Sequence, residues 1–295
     1  MNNFLVFVGK VPPLVLRELE ADFAPLGIGG FRWLKLDDVC EYQLESCPDR
    51  VFLDHVRQGL SDYKVDVFFV SGLERRKKLL LADMDATIVT GETLDDLADL
   101  AGLGAEISSI TKAAMRGELD FEQALCARVS KLKGLSESLL YDAFSNMAFS
   151  DGALTLIGMM RAQGSLCVLV SGGFTFFTSR VAEMCGFSFH HGNGLDIQNG
   201  VLSGEVLLPI LDKNAKLAYL NSYVKDLGLD LSQAMTVGDG ANDLPMLLAA
   251  GLGVGYRPKP LVREQVLNSI IYSDLTSLLY MQGYSYDDIL PYMKN

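Results

Sequence analysis

Apolar positions along this chain form two kinds of pattern. Short unbroken runs at Leu79-Leu80-Leu81-Ala82, Leu166-Cys167-Val168-Leu169-Val170 and Ala234-Met235-Thr236-Val237 read as strands buried on both faces, as in a parallel sheet. Each run ends in a polar turn, respectively Asp83-Met84-Asp85-Ala86-Thr87, Ser171-Gly172-Gly173 and Gly238-Asp239-Gly240-Ala241-Asn242-Asp243. Helical periodicity fills the intervals, so the expected class is α/β with crossover helices. From Gly91 to about Met147 the pattern is helical alone, with Leu94, Leu97, Ala98 and Ala101 at helical spacing. Inserted straight after the first strand, this stretch is expected to form a helical cap over residues 91–147.

Upstream, residues 4–8 and 65–70 read as strands and 14–24 and 49–60 as helices, which predicts a small α+β domain over residues 1–75 ahead of a larger one over 76–295. Gln198-Asn199-Gly200 between two semi-alternating runs predicts a hairpin. Asp212-Lys213-Asn214-Ala215-Lys216-Leu217 reads as an amphipathic helix opened by Asp212 as N-cap.

Composition acts mainly by exclusion. The 295 residues are 49% hydrophobic, enough for one large core or two smaller ones. A formal charge of -12 with no basic stripe argues against a nucleic-acid partner, and Glu74-Arg75-Arg76-Lys77-Lys78 reads as a solvated linker. Five cysteines without a CxxC spacing suit a reducing compartment. No apolar span approaches the ~20 residues of a membrane helix, and the N-terminus has no signal-peptide pattern; the expectation is a cytoplasmic protein with no membrane contact.

The chemistry lies at the strand ends, where open α/β sheets build their sites. Asp83 and Asp85 leave the first strand two residues apart and start on one side, although the turn that follows is free to re-aim the second. Two such carboxylates can divide a displacement, one attacking while ionised and the other giving a proton to the leaving group. Attack by an anionic carboxylate on an anionic substrate needs an offsetting cation, and magnesium favours oxygen ligands. Spacing alone does not choose between Lys213 and Lys216 as the fixed positive charge. The dinucleotide-like Gly238-x-Gly240-x-x-Asp243 lacks its third glycine and carries acids where a pyrophosphate would sit. His190-His191 are strand neighbours facing opposite ways and read as structural, and Phe174, Phe176 and Phe177 read as helix-packing residues.

The order of aspartate pair, serine, lysine and second aspartate cluster resembles the haloacid dehalogenase superfamily of phosphotransferases. The resemblance implies a parallel sheet with an inserted cap. It also implies Asp83 as nucleophile, forming an aspartyl-phosphate, and Asp85 as acid and then base. Lys216 is favoured over Lys213 by its distance to the second aspartate cluster, and Mg2+ would be held by Asp83, the Asp85 carbonyl and Asp239, with Asp243 and Thr87 in support. Ser171 and Gly172 would bind the phosphoryl group.

Asp83 to Glu92, then Ala114-Met115-Arg116-Gly117-Glu118-Leu119-Asp120-Phe121-Glu122 running on to Arg128-Val129, and Ser171 to Phe174 further resemble the phosphoserine phosphatase branch. That resemblance implies that Glu92 takes the substrate ammonium and Arg128 its carboxylate. Met115 and Phe121 would form an apolar wall, and Asn242 would be a further substrate contact. Read without it, Glu92 is a helix N-terminal acid and Arg128 a solvated helix residue. The implied reaction is hydrolysis of O-phospho-L-serine, the last step of phosphorylated serine biosynthesis. Alternatives are a phosphotransferase, or a phosphatase for another small monoester such as homoserine phosphate. For residues 1–75 the resemblance is to ACT-type amino-acid-binding modules, leaving serine binding, homodimer formation and structural support open.

Overall fold

The computed structural model describes residues 3–293 apart from 116, 117, 213 and the side chain of Met115. The first unit is built from β1 (Asn3–Val8), α1 (Pro13–Phe23), β2 (Ile28–Lys35), β3 (Val39–Leu44), α2 (Arg50–Gly59) and β4 (Asp66–Ser71). Its antiparallel sheet has the order β2-β3-β1-β4. The flanking elements were read from the sequence, but β2 and β3 were not. β2 is an exposed edge with two glycines, and β3 buries Glu41, so neither shows a clean two-residue alternation.

Alternation along these strands serves two cores. Leu5, Phe7, Tyr42, Val67 and Phe69 pack with residues of α1 and α2. Their neighbours Val6, Val8, Val39, Phe68 and Val70 belong instead to the main core of the larger unit. Polar contacts close the same boundary. The Asn268 side-chain amide pairs with both the N–H and the C=O of Phe69, each at 2.9 Å. Buried Asp66 accepts from the backbone N–H of Ile271, Tyr272 and Ser273 and from the Ser273 hydroxyl, at 2.6–3.1 Å.

The larger unit begins with β5 (Leu79–Ala82). Four cap helices follow: α3 (Thr93–Leu100), α4 (Gly104–Met115), α5 (Phe121–Ser130) and α6 (Ser138–Ser145). Next come α7 (Ala153–Ala162), β6 (Leu166–Phe174), α8 (Thr175–Cys185), the hairpin β7 (Phe189–Gln198) and β8 (Val201–Leu207), and α9 (Ala215–Asp226). The chain ends with β9 (Ala234–Gly238), α10 (Leu244–Ala249), β10 (Leu252–Tyr256), α11 (Pro260–Gln265), β11 (Asn268–Ile270), α12 (Ser277–Met281) and α13 (Tyr286–Ile289). The sheet order is β11-β10-β9-β5-β6-β7-β8, parallel except at the β7–β8 hairpin. No described helix is long and apolar enough to cross a membrane.

β5 lies at the centre, with its four residues wholly buried. Leu80 and Ala82 face the main core, while Leu79 and Leu81 face a second one that includes Leu220 and Val224 of α9. This explains the unbroken apolar run. It also places the end of β5 at the switch point between β6 and β9, where the loops part to form a crevice. The cap is joined to the hairpin as well as to its hinge, because Gly134 N–H donates to Leu202 C=O and Glu137 N–H to Gly200 C=O, at 2.9 and 2.8 Å.

Candidate active site

Asp83 prolongs β5, its N–H donating to Val237 C=O at 3.0 Å, and so keeps to the side of Leu81 that faces α9. From α9, Lys216 reaches it. The ammonium lies 2.5 Å from Asp83 Oδ1 and 2.5 Å from Asp243 Oδ1, and all three side chains are buried. Asp243 uses its other oxygen to accept from the N–H groups of Asp239 and Gly240, at 3.1 and 3.0 Å. Gly238 is required there, since a Cβ would sit 2.4 Å from the Asp243 carboxyl carbon.

The turn after Asp83 re-aims Asp85. Ala86 takes a left-handed φ of 50°, and the Asp85 carboxyl leaves the lysine side. Its Oδ1 accepts from Thr93 N–H and its Oδ2 from the Ser171 hydroxyl, both at 2.9 Å. The Ser171 oxygen in turn accepts from Gly173 N–H at 2.8 Å. A Cβ on Gly173 would lie 2.9 Å from Asp85 Oδ2 and 3.0 Å from Ser171 Oγ, so this close approach needs glycine. Thr87 is fully buried, and its hydroxyl has no hydrogen-bond partner among the described residues.

The electrostatics follow from burial. Burial and the charge of Asp243 push Asp83 upward against the pull of Lys216, and burial likewise raises Asp85 and Asp239. Lys216 is held above its ordinary value because Asp243 and Asp83 outweigh its own desolvation. Negative charge is therefore in surplus. Oxygens of Asp83, Asp239 and Asp243 lie within 4.8 Å of one another, a buried set of hard donors that fits a divalent cation such as magnesium.

A cleft of about 120 Å³ opens between these groups and the cap, lined from the core by Asp83, Asp85, Gly172, Asp239 and Asn242 and from the cap by Glu92, Phe121 and Arg128. Glu92 occupies the N-cap position of α3 without capping it, and its carboxylate meets the Lys259 ammonium at 3.3 Å. Arg128 donates from Nε to Ala124 C=O at 3.2 Å, and its terminal nitrogens have no hydrogen-bond partner among the described residues. Burial pulls Arg128 downward while Asp95 and Glu92 act to keep it charged.

Other sequence expectations shift or fall outside view. The helix carrying Lys216 starts at Ala215 with Asn214 as cap, and Asp212 instead accepts from Asn214 N–H at 2.8 Å in a turn before it. Lys213 and the Met115 side chain lie outside the described residues. Phe174, at the end of β6 and the N-cap of α8, lines the cleft and is wholly buried in the core that the helices share. His190 and His191 part as expected, one to Thr178 Oγ1 at 3.0 Å and the other to Tyr223 Oη at 2.9 Å.

Three residues escaped the sequence reading. Thr93 donates to Asp85, Lys259 lies 3.3 Å from Asp239 Oδ2 as well as from Glu92, and Asn193 is wholly buried against the Ser171 turn. Only Asn193 carries a sequence signal, an amide inside a strand.

Residues 80–248 match the haloacid dehalogenase-like hydrolase family. A phosphoserine phosphatase of Streptococcus thermophilus is 41% identical over 203 residues, covering 69% of this chain and 94% of that protein. A solved HAD family hydrolase from Salmonella enterica serovar Typhi superposes with a TM-score of 0.86 at 27% identity, covering 95% of this chain and 98% of its own. A solved phosphoserine phosphatase with an analogue of its phospho-aspartyl intermediate is 37% identical, with a TM-score of 0.65, over 70% of this chain and 98% of that one.

Proposed function

The chain belongs to the haloacid dehalogenase-like hydrolases, in their phosphoserine phosphatase branch, and from that premise we propose that it hydrolyses O-phospho-L-serine to serine and phosphate through an aspartyl-phosphate at Asp83. The observation that carries this reading is the unequal treatment of two neighbouring carboxyls: Asp83 meets an ammonium, and Asp85 meets a hydroxyl and an amide. Against burial and the charge of Asp243, which raise it, Lys216 pulls Asp83 toward its anion, whereas Asp85 has no such cation among its described partners and burial raises it toward the protonated form.

In the first half-reaction a carboxylate oxygen of Asp83 attacks phosphorus. The bond to the serine oxygen breaks, and that oxygen takes the proton of Asp85. In the second, water attacks the aspartyl-phosphate and gives its proton to Asp85, releasing phosphate and restoring Asp83. Lys216 keeps the attacking carboxylate in place. The Gly172 N–H, on the wall of the cleft, would be the donor to the phosphoryl oxygens, while the Ser171 hydroxyl and the Gly173 N–H are engaged at Asp85 Oδ2 and Ser171 Oγ. Asp83 and Asp239, with the Asp85 carbonyl, are the groups that would hold magnesium, and Asp243 fixes Lys216 and the Asp239 loop. Bound there, the ion would neutralise charge between nucleophile and phosphate.

Specificity is assigned to the cap. Glu92 would receive the substrate ammonium, Arg128 its carboxylate, and Phe121 would form the apolar wall. The test is phosphate release from L-phosphoserine, phosphothreonine, homoserine phosphate, sugar phosphates and a phosphoserine peptide, with magnesium and with chelator. A magnesium-dependent preference for L-phosphoserine is expected. Release centred on another substrate would overturn the roles of Glu92 and Arg128, and transfer to an added alcohol in place of water would make the protein a phosphotransferase.

A further inference from the structure

Asn193 is a fully buried side chain that touches both the turn after β6 and the segment leading into α9. It stands on β7, outside the cleft, with no exposed surface. Its Nδ2 donates to Gly172 C=O at 2.7 Å, and its Oδ1 accepts from Leu211 N–H at 2.8 Å. The first bond grips the turn after β6, and the second grips the segment leading into α9 and Lys216.

The carbonyl of Gly172 and the N–H of Gly173 belong to one planar peptide unit and point in opposite directions. Holding the carbonyl toward Asn193 therefore aims the Gly173 N–H the other way, where it donates to Ser171 Oγ at 2.8 Å. That bond occupies a lone pair of the serine oxygen. The serine proton is then directed to Asp85 Oδ2, 2.9 Å away. The four groups form a chain with a single sense, from Asn193 through the Gly172–Gly173 peptide and Ser171 to the Asp85 carboxyl. Hydrogen bonds arranged head to tail polarise one another, so the orientation of the first is felt by the last.

We infer that Asn193 is a positioning residue for the leaving-group side of the reaction. It fixes the Gly172–Gly173 peptide, and through it the direction of the Ser171 hydroxyl and the placement of the Asp85 carboxyl. This inference rests on the reading of Asp85 as the acid that protonates the departing alkoxide. It predicts a signature that a simple packing role lacks. Serine oxygen is a poor leaving group and needs a well-placed proton, whereas an aryl oxide leaves with little help.

The experiment compares kcat/KM, which reports the first half-reaction, for L-phosphoserine and p-nitrophenyl phosphate in the magnesium-loaded protein and in Asn193→Asp. The introduced carboxyl keeps the shape and can still accept from Leu211 N–H, but in its ionised form it cannot donate to Gly172 C=O; Asn193→Ala removes the donor whatever the protonation state. The expected loss is about a hundredfold on phosphoserine, within the range for general acid catalysis, and at least tenfold smaller on the aryl ester. Asn193→Ala should show the same bias, and combining Asn193→Asp with Ser171→Ala should add little to the phosphoserine loss of either alone.

Equal losses on the two substrates, or full activity in both Asn193→Asp and Asn193→Ala, would overturn the inference. If Asn193→Asp does not fold, judged by its melting transition, Asn193→Ser is read by the same ratio, its smaller side chain leaving room for a water. Should the parent protein prefer a different alkyl phosphate, the proposed substrate is wrong, but that ester replaces phosphoserine in the comparison and the inference is tested unchanged.

Discussion

Both sheets bury acidic residues, and they treat them in opposite ways. In the small antiparallel sheet Asp66 accepts from three backbone N–H groups and a hydroxyl, and Glu41 is clasped by Arg32 and Arg75. At the end of β5, Asp83, Asp239 and Asp243 crowd together with one buried lysine among them. The first arrangement uses its charge to join two parts of the chain. The second holds charge that protein groups do not balance, and a phosphoryl group with its cation can complete it. A buried carboxylate is thus no sign of a site in itself, whereas a buried surplus of carboxylates is.

The widest separation between the two arrangements should come from deleting one acid in each. Asp83→Asn is expected to lower turnover by roughly 10⁴-fold or more while leaving a folded protein, because it removes the attacking oxygen and one of several crowded negative charges. Retained activity would refute the nucleophile. Chelation should abolish turnover in the same way, and returning magnesium should raise the melting temperature. Asp66→Ala should do the reverse. It strands several buried donors and is expected to cost about 3 kcal/mol of stability, seen in the denaturant midpoint, with kcat of the folded fraction kept. If Asp66→Ala silenced the enzyme without destabilising it, the division between the two sheets would fail.

This contrast also explains what was legible in the sequence. Strands such as β5 show as continuous apolar runs because both faces are covered, and their polar ends announce Asp83, Asp85, Ser171 and Asp239 directly. Local spacing carried that much. It did not carry β2 or β3, whose edge exposure and buried ion pair break the alternation. Nor could it find Lys259, which reaches the cleft from beyond β10, or Thr93, whose contribution is a backbone N–H that any residue would possess. The choice of Lys216 over Lys213 needed the family spacing. In the structure the reason is helical geometry, since Lys216 sits on the buried face of α9 that points at β5.

Within the site the comparison narrows to Arg128, whose terminal nitrogens have no hydrogen-bond partner among the described residues, against the fully engaged Arg75. Arg128→Ala is expected to lower kcat/KM for phosphoserine by about 10²-fold, equivalent to 2–3 kcal/mol for a charge-assisted contact, and that for p-nitrophenyl phosphate by only a few-fold. The difference should appear mainly in KM. Equal losses on both substrates would assign Arg128 to the cap's own packing.

The smallest effect, and the most diagnostic for the pocket, belongs to Lys259. Its ammonium lies 3.3 Å from Glu92 on the cap and 3.3 Å from Asp239 on the core, and the side chain is 59% exposed. If Glu92 receives the ammonium of phosphoserine, then Lys259 competes for the same carboxylate, and substrate must displace it. Lys259→Met should therefore lower KM for phosphoserine by a few-fold, no more than about 1 kcal/mol because solvent screens so exposed a pair. For p-nitrophenyl phosphate, which has no ammonium, KM should stay level or rise as a positive charge leaves the cleft. Raising ionic strength should shrink the phosphoserine effect, since the competition is between solvated charges. A parallel rise of both KM values would show instead that Lys259 serves the phosphate, and Glu92 would then lose its strongest local argument as an ammonium site, because the ammonium it pairs with would not be competing with substrate at all.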